Sequence, residues 1–408
     1  MQKIVLKGGV FNGFEYIDDA SVVVDPETGL IVDAGPKNSV DEPNDAKVVK
    51  ANTIVPGLID AHVHFFGAKK YDLTTWVTTP EPLVALRSTL DLRRLLYAGF
   101  TSVRDMGSKG GAFLSRAVRE GVIDGPRVLT CAKSLGQTGG DDDPTNLPLH
   151  IAKELAYSYF CDGPWECRRA VRLVLRDGAD FVKIYCATGT TPEPYTDETY
   201  TVRPQFTVEE IRAVVDEAHR AGIRVAAHTI GEESVRNAVE AGVDSLEHGM
   251  GLTAKVAEQI KKKNIYYVPT LSVFFSTPEL LAYVNQTDAP DKAFVRRHLT
   301  SDMKLAKEYG LKVVCGSDFG GTQQAEHGEN YKEIVNLAKF LGNKEALVSS
   351  TSRAAECLGI PDSGQIKKGF RADMVALNDN PLRNIDALKP SKVLCVLKGG
   401  KLYQGSTT

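Results

Sequence analysis

Two histidines one residue apart close an apolar run, Gly57-Leu58-Ile59-Asp60-Ala61-His62-Val63-His64. Side chains of a β-strand alternate, so His62 and His64 share one face. Neutral imidazole is a common ligand of zinc and related ions, and two on one strand face suit a metal better than a half-buried sheet. Further polar residues stand where apolar ones are expected. Lys183 interrupts Asp180-Phe181-Val182-Lys183-Ile184-Tyr185, His228 ends Val225-Ala226-Ala227-His228, His248 ends Ser245-Leu246-Glu247-His248, and Asp318 ends Val313-Val314-Cys315-Gly316-Ser317-Asp318. Each has an ordinary reading: a satisfied strand-end histidine, an ion-paired lysine, an aspartate capping the next helix. Six independent ordinary readings are a poor joint account, because buried charge is costly unless paired or coordinated.

Together these residues can build a two-metal centre. His62, His64 and Asp318 would hold one divalent ion, His228 and His248 a second. Lys183, as a neutral amine, could take up carbon dioxide as a carbamate whose two oxygens bridge the ions. Burial and neighbouring cations favour loss of the proton that this needs. A bridging water on two such ions becomes hydroxide near neutral pH. Asp318 could accept its proton and pass it to a leaving nitrogen.

The elements that must position these groups read as a barrel. Eight strand candidates lie between residues 53 and 320: 53–65, 102–105, 127–132, 181–187, 224–228, 245–248, 266–271 and 312–318. Helical runs such as 207–221 and 232–241 separate several of them, and a glycine often ends the helix before the next strand. The candidate ligands fall at the C-terminal ends of strands one, four, five, six and eight, the end where (β/α)8 barrels carry their sites. A doubly wound open sheet is the alternative, but no G-x-G-x-x-G opens its first turn. Short β-segments bracket the chain, at Ile4–Phe11, Ala20–Val24 and Leu30–Gly35, then at 369–377 and 393–403. The expected architecture is a (β/α)8 TIM barrel over 56–363 and a small β-sandwich domain composed of 1–55 and 364–408.

Composition narrows the class. Of 408 residues 42% are hydrophobic and 25% charged, with a formal net charge of −3. That describes a globular protein and offers no electrostatic footprint for nucleic acid or an anionic membrane. No long apolar run suggests a membrane span, and the start lacks the pattern of a secretory signal. The seven cysteines (131, 161, 167, 186, 315, 357 and 395) are scattered without a C-x-x-C pair, which fits reduced thiols in a cytoplasmic protein. A homo-oligomer is expected.

With these residues the chain resembles the binuclear branch of the amidohydrolase superfamily. The resemblance spans nearly the whole sequence, including Val55-Pro56-Gly57-Leu58-Ile59-Asp60-Ala61-His62-Val63-His64, Lys183, His228, His248, Gly316-Ser317-Asp318, and the return through Gly364–Val375. Within it, Gly99–Gly107 and Gln137-Thr138-Gly139-Gly140 are similar to the imidazolonepropionase-like and prolidase-like branch. That branch includes Xaa-Pro and Xaa-Arg dipeptidases, ochratoxin-type amidases, and hydrolases of phenylureas and thiocarbamates. The resemblance implies two divalent ions, expected to be zinc, and carbon dioxide as the carbamate on Lys183. Lys183 separates the chain from mononuclear deaminases; the split β-domain separates it from phosphotriester and lactone hydrolases.

Two positions depart from the prolidase-like pattern. After T-G-G that pattern runs His-Gly-Asp, with the histidine polarising the scissile carbonyl; here Asp141-Asp142-Asp143 stands instead. The tyrosine that follows the strand-five histidine, and binds the substrate carboxylate, is replaced by Ile230. Both weaken a dipeptidase assignment and leave the metal chemistry intact. Substrate contacts are expected from Asp141, Tyr185, Arg203, Ile230 and His327; Arg203 has a solvated surface arginine as its ordinary reading. Arg104 and Asp105 are expected to form a structural pair, and His150, His219 and His298 to be structural or surface residues. The expected activity is hydrolysis of an amide C–N bond in a dipeptide or N-acyl amino acid. A carbamate or urea substrate is the alternative, and a catalytically silent oligomeric scaffold the alternative of another class.

Overall fold

In a computed structural model, residues 1–70, 72–188, 202–275, 298–323 and 325–404 are described, with only the main chain at 274, 275, 299 and 404. The strands among the described residues are β1 (Ile4–Phe11), β2 (Tyr16–Asp25), β3 (Leu30–Pro36), β4 (Lys47–Pro56), β5 (Leu58–Val63), β6 (Phe100–Asp105), β7 (Arg127–Thr130), β8 (Ser134–Gly136), β9 (Ser158–Phe160), β10 (Val182–Tyr185), β11 (Val225–Ile230), β12 (Ser245–Met250), β13 (Tyr266–Val268), β14 (Lys312–Val313), β15 (Met374–Leu377), β16 (Val393–Lys398) and β17 (Lys401–Gln404).

Both ends of the chain build one mixed sheet in the order β17-β16-β15-β4-β1-β2-β3. β4 joins them: it runs parallel to β1 and antiparallel to β15, with Val55 opposite Val375. Leu6, Val22, Val24, Ile31, Ile54, Met374 and Leu397 form this domain's apolar core.

The other strands form the parallel barrel. β5, β6 and β7 pair in order, and β10 through β14 pair in order. Between β7 and the approach to β10, the Asp180 amide donates to Thr130 O at 2.8 Å and the Thr130 amide to Asp180 Oδ2 at 2.9 Å. Strand eight returns to strand one through Ala61 N to Cys315 O, Asp318 N to His62 O and His64 N to Phe319 O, each 2.8 Å. Helices 81–97, 164–176, 208–220, 232–241, 254–263 and 331–341 alternate with the strands. They bury Leu92, Leu95, Val171, Val214, Val235, Ile260 and Leu337 in one continuous core. Local sequence sets their ends: Thr207 and Glu210 form a reciprocal capping box for 208–220, and Gly242 at φ +91° closes 232–241.

The expected strands 266–271 and 312–318 are shorter, Tyr266–Val268 and Lys312–Val313, and two further details differ from the sequence expectation. The first strand candidate, 53–65, is two strands, because Gly57 carries the chain from the terminal sheet into the barrel. A Cβ there would lie 2.1 Å from Thr101 Oγ1, so only glycine fits. The short parallel strands β8 and β9 were not expected; they extend the sheet beside β10, with Leu135 opposite Ile184. At three residues each, they fall below the length at which alternation is readable.

Candidate metal centre

Strands β5, β10, β11, β12 and the segment after β14 bring the six candidate ligands to one mouth of the barrel. The four imidazoles form a chain: ring centroids are 5.4 Å apart for His64 and His62, 5.1 Å for His62 and His248, and 4.6 Å for His248 and His228. Asp318 Oδ1 lies 3.2 Å from His62 Nε2 and 3.3 Å from His64 Nε2. One ligand atom each from His62, His248 and Asp318 falls within 4.8 Å of the others, close enough for one ion. Lys183 is fully buried, its Nζ 4.9 Å from the centre of the Tyr185 ring.

Three histidines have their Nδ1 atoms engaged and so turn Nε2 to the centre. His62 Nδ1 is 2.9 Å from Glu247 Oε2, His64 Nδ1 2.8 Å from Gly107 O, and His248 Nδ1 2.7 Å from Thr270 Oγ1. Such outer partners fix the tautomer and the ring orientation of a metal-binding imidazole. Among the described residues, His62 Nε2, His228 Nε2 and Lys183 Nζ are buried without a hydrogen-bond partner. Three orphaned donor or acceptor atoms around one carboxylate are costly unless another group satisfies them. The donor set, four imidazoles, a carboxylate and an amine, fits divalent transition ions of the zinc type.

The electrostatics agree with this arrangement. Burial lowers the Lys183 ammonium from its ordinary range, against the pull of Glu247 and Asp318, and so favours the neutral amine. Burial also carries His228 and His248 well below the usual histidine range. For Asp318 burial acts upward, but His62 and His64 outweigh it and hold the carboxyl well below the carboxylate range. Asp318 is thus held as the anion. His248 and Asp318 also share left-handed backbone, φ +63° and +60°. For residues with a Cβ such strain costs about 1–3 kcal/mol each, and it clusters at functional sites.

Tyr185 is buried with its ring centroid 5.0 Å from that of His228. His327 is buried with Nε2 2.8 Å from the carbonyl oxygen of His64 and its ring against Phe65, so it braces the end of strand one. Ile230 is buried in the apolar core. Asp141 is half-buried in the turn at 139–143, and Arg203 is exposed, with its main chain clasped to Thr188. The remainder of that loop, residues 189–201, lies outside the described residues. His298 is buried against Pro269 O at 2.7 Å and His219 pairs with Asp244 at 2.8 Å.

The expected Arg104–Asp105 pair is not formed. Neighbouring strand residues point to opposite faces. Arg104 Nη2 reaches Glu247 Oε1 at 2.7 Å, whereas Asp105 accepts from Ser108 and Thr130 at 2.5 and 2.8 Å. Sequence reasoning also missed Asp60, Glu247 and Thr270. Asp60 is buried and accepts from His62 N, Ser317 N, Ser317 Oγ and Asn330 Nδ2, tying strand one to strand eight beneath the ligands. Its signal was present, a carboxylate two residues before His62 on the same face of an apolar run.

The sequence pattern described as "Amidohydrolase family" matches residues 53–403. The chain belongs to the amidohydrolase family. This amidohydrolase is 32% identical to the ochratoxinase of Aspergillus niger over 376 residues, 86% of this chain and 76% of the relative. The crystal structure of A. niger ochratoxinase superposes with a TM-score of 0.88 at 28% identity, covering 100% of this chain and 96% of that one. A prolidase structure with bound N-methylphosphonate-L-proline gives a TM-score of 0.85 at 30% identity, covering 99% and 100%. The imidazolonepropionase of Deinococcus radiodurans is 22% identical over 402 residues, 93% of this chain and 90% of the relative. The amidohydrolase therefore sits on the imidazolonepropionase-like and prolidase-like branch, has that family's barrel with its added β-domain, and acts on C–N bonds of the amide type. No helix among its described residues is long and apolar enough to cross a membrane.

Proposed function

We propose that the chain is a binuclear zinc hydrolase of a small amide substrate, a dipeptide or N-acyl amino acid. The observation that carries this reading is the group of orphaned atoms, His62 Nε2, His228 Nε2 and Lys183 Nζ, around the anionic Asp318. His62, His64 and Asp318 would hold one ion, His228 and His248 the other, and Lys183 both, once its neutral amine has taken up carbon dioxide as a carbamate. When bound, the ions would polarise the scissile carbonyl and acidify a water. Asp318, the one ligand with its side chain 14% exposed, accepts a proton on Oδ1 and delivers it to the leaving nitrogen. Tyr185 lines the wall beside His228. The barrel is assigned to residues 56–363 and the β-domain to 1–55 with 364–408.

A carbamate or urea is the second reading. It is favoured by Asp141, which as an anion repels a substrate carboxylate, and by Ile230, which offers no donor to one. Losing a charge-assisted hydrogen bond costs roughly 1.5–3 kcal/mol, about ten- to a hundredfold in kcat/KM. Elemental analysis of zinc-reconstituted protein should approach two ions per chain. Its kcat/KM should then be compared for free-carboxylate dipeptides, N-acyl amino acids, their uncharged amides, carbamates and ureas. Dispersed ligands with no metal retained, or no hydrolysis across the panel, would overturn the reading. Strong preference for the free carboxylate would remove the second reading.

A further inference from the structure

We propose that Glu247 and Arg104 form a buried clamp that sets the tautomer and position of His62, making Glu247 a positioning residue of the metal centre. This inference rests on the metal-dependent reading above. Glu247 divides its two oxygens: Oε2 is 2.9 Å from His62 Nδ1, while Oε1 takes Arg104 Nη2 at 2.7 Å and Ser245 Oγ at 2.5 Å. Arg104 makes two further bonds. Its Nε donates to Ala61 O at 2.7 Å and its Nη1 to Ser245 Oγ at 3.2 Å. Ala61 directly precedes His62. One rigid guanidinium therefore grips strand one twice, on the main chain before the ligand and, through Glu247, on the ligand's ring.

The position is distinctive among the imidazoles. His64 and His248 turn Nδ1 to a neutral carbonyl and a hydroxyl, whereas His62 faces a carboxylate. An anionic acceptor obliges Nδ1 to carry the proton, leaves the Nε2 lone pair free for the ion, and raises the ligand's basicity. Arg104 compensates the carboxylate; alone, it would be a buried charge facing the barrel interior, and both residues are essentially inaccessible to solvent.

The test uses metal-free, 15N-histidine-labelled protein and long-range 1H–15N correlation of the imidazole nitrogens, with the His62 signal assigned by its loss in His62→Asn. Wild type should show Nδ1–H at His62. Glu247→Gln, which keeps the shape, and the double variant Glu247→Met with Arg104→Met, which leaves no unpaired charge, should both lose that single tautomer. Both should bind Co²⁺ about ten- to a hundredfold more weakly by chelator competition, with a changed ligand-field spectrum. Wild-type His62 protonated at Nε2, or variants with an unchanged tautomer and Co²⁺ affinity, would overturn the clamp. Loss of hydrolysis across the substrate panel with the His62 tautomer as expected would defeat the functional reading and leave the clamp standing. Unaltered Co²⁺ binding in active variants would do the reverse.

Discussion

His248 and Thr270 both adopt left-handed backbone, at φ +63° and +52°, and their side chains meet with Nδ1 and Oγ1 2.7 Å apart. Two strained residues, His248 on β12 and Thr270 just past the end of β13, thus hold each other, and the contact aims Nε2 of a candidate ligand into the mouth. Removing the hydroxyl while keeping the branched side chain should loosen the ring without a large packing cost. Thr270→Val is expected to weaken metal binding about ten- to a hundredfold, whereas Thr270→Ser keeps it near wild type. Chelator titration followed by elemental analysis checks both.

Asp318 is placed to move a proton as well as to bind. Asp318→Asn keeps the shape and loses the basicity. It should lower kcat by a factor on the order of 10² to 10⁴, with most of the metal retained. A kcat near wild type would remove Asp318 from the chemistry.

Lys183 is fully buried with no hydrogen-bond partner among the described residues for its amine. An ammonium offers donors only and cannot bridge cations. Lys183→Ala should lose most activity and at least one ion, and short carboxylic acids such as acetate or propionate should restore part of both. Full metal content without added acid would refute the bridge.

Glu333 makes a pH dependence testable away from the ligands. It is buried and accepts from the amides of Leu271 and Ser272 at 3.0 and 2.7 Å, beside Thr270. Burial pushes its carboxyl up to about 8 from an ordinary 4.5. The folded chain therefore keeps a proton that the unfolded chain releases, so this group's contribution to stability falls as pH rises from about 4.5 to about 8 and is level above that. The Tm of Glu333→Gln relative to wild type should rise across this window. A difference that does not change with pH would show that Glu333 does not titrate in it.

The barrel and the six candidate ligands are legible because each ligand is a polar interruption of an apolar run, within a strand or just beyond it, which physical patterning marks. The outer partners were not. Glu247 sits next to His248 in sequence but serves His62, 185 positions away, and Arg104 crosses the barrel to reach it. Such contacts depend on which strands face each other across the interior, and a single sequence does not encode that locally. Gly57 shows the same limit from the other side: the apolar run through it is continuous, and only the approach of Thr101 reveals why glycine is needed where β4 passes into β5. His327, whose loop suggests a place over the substrate, is tied by Nε2 to the carbonyl oxygen of His64, a contact between distant segments that sequence does not show.

The pairing of β4 with both β1 and β15 imposes a timetable on synthesis. β4 ends at Pro56 and β15 begins at Met374, about 320 residues later. At ribosomal rates of 5–20 residues per second, one flank of β4 waits roughly 15–60 s for its partner while the barrel emerges. That flank carries Ile54 and Val55, both buried in the finished molecule. The nascent chain therefore presents a sticky strand edge while the barrel is being made, and that edge is covered only after the barrel has emerged.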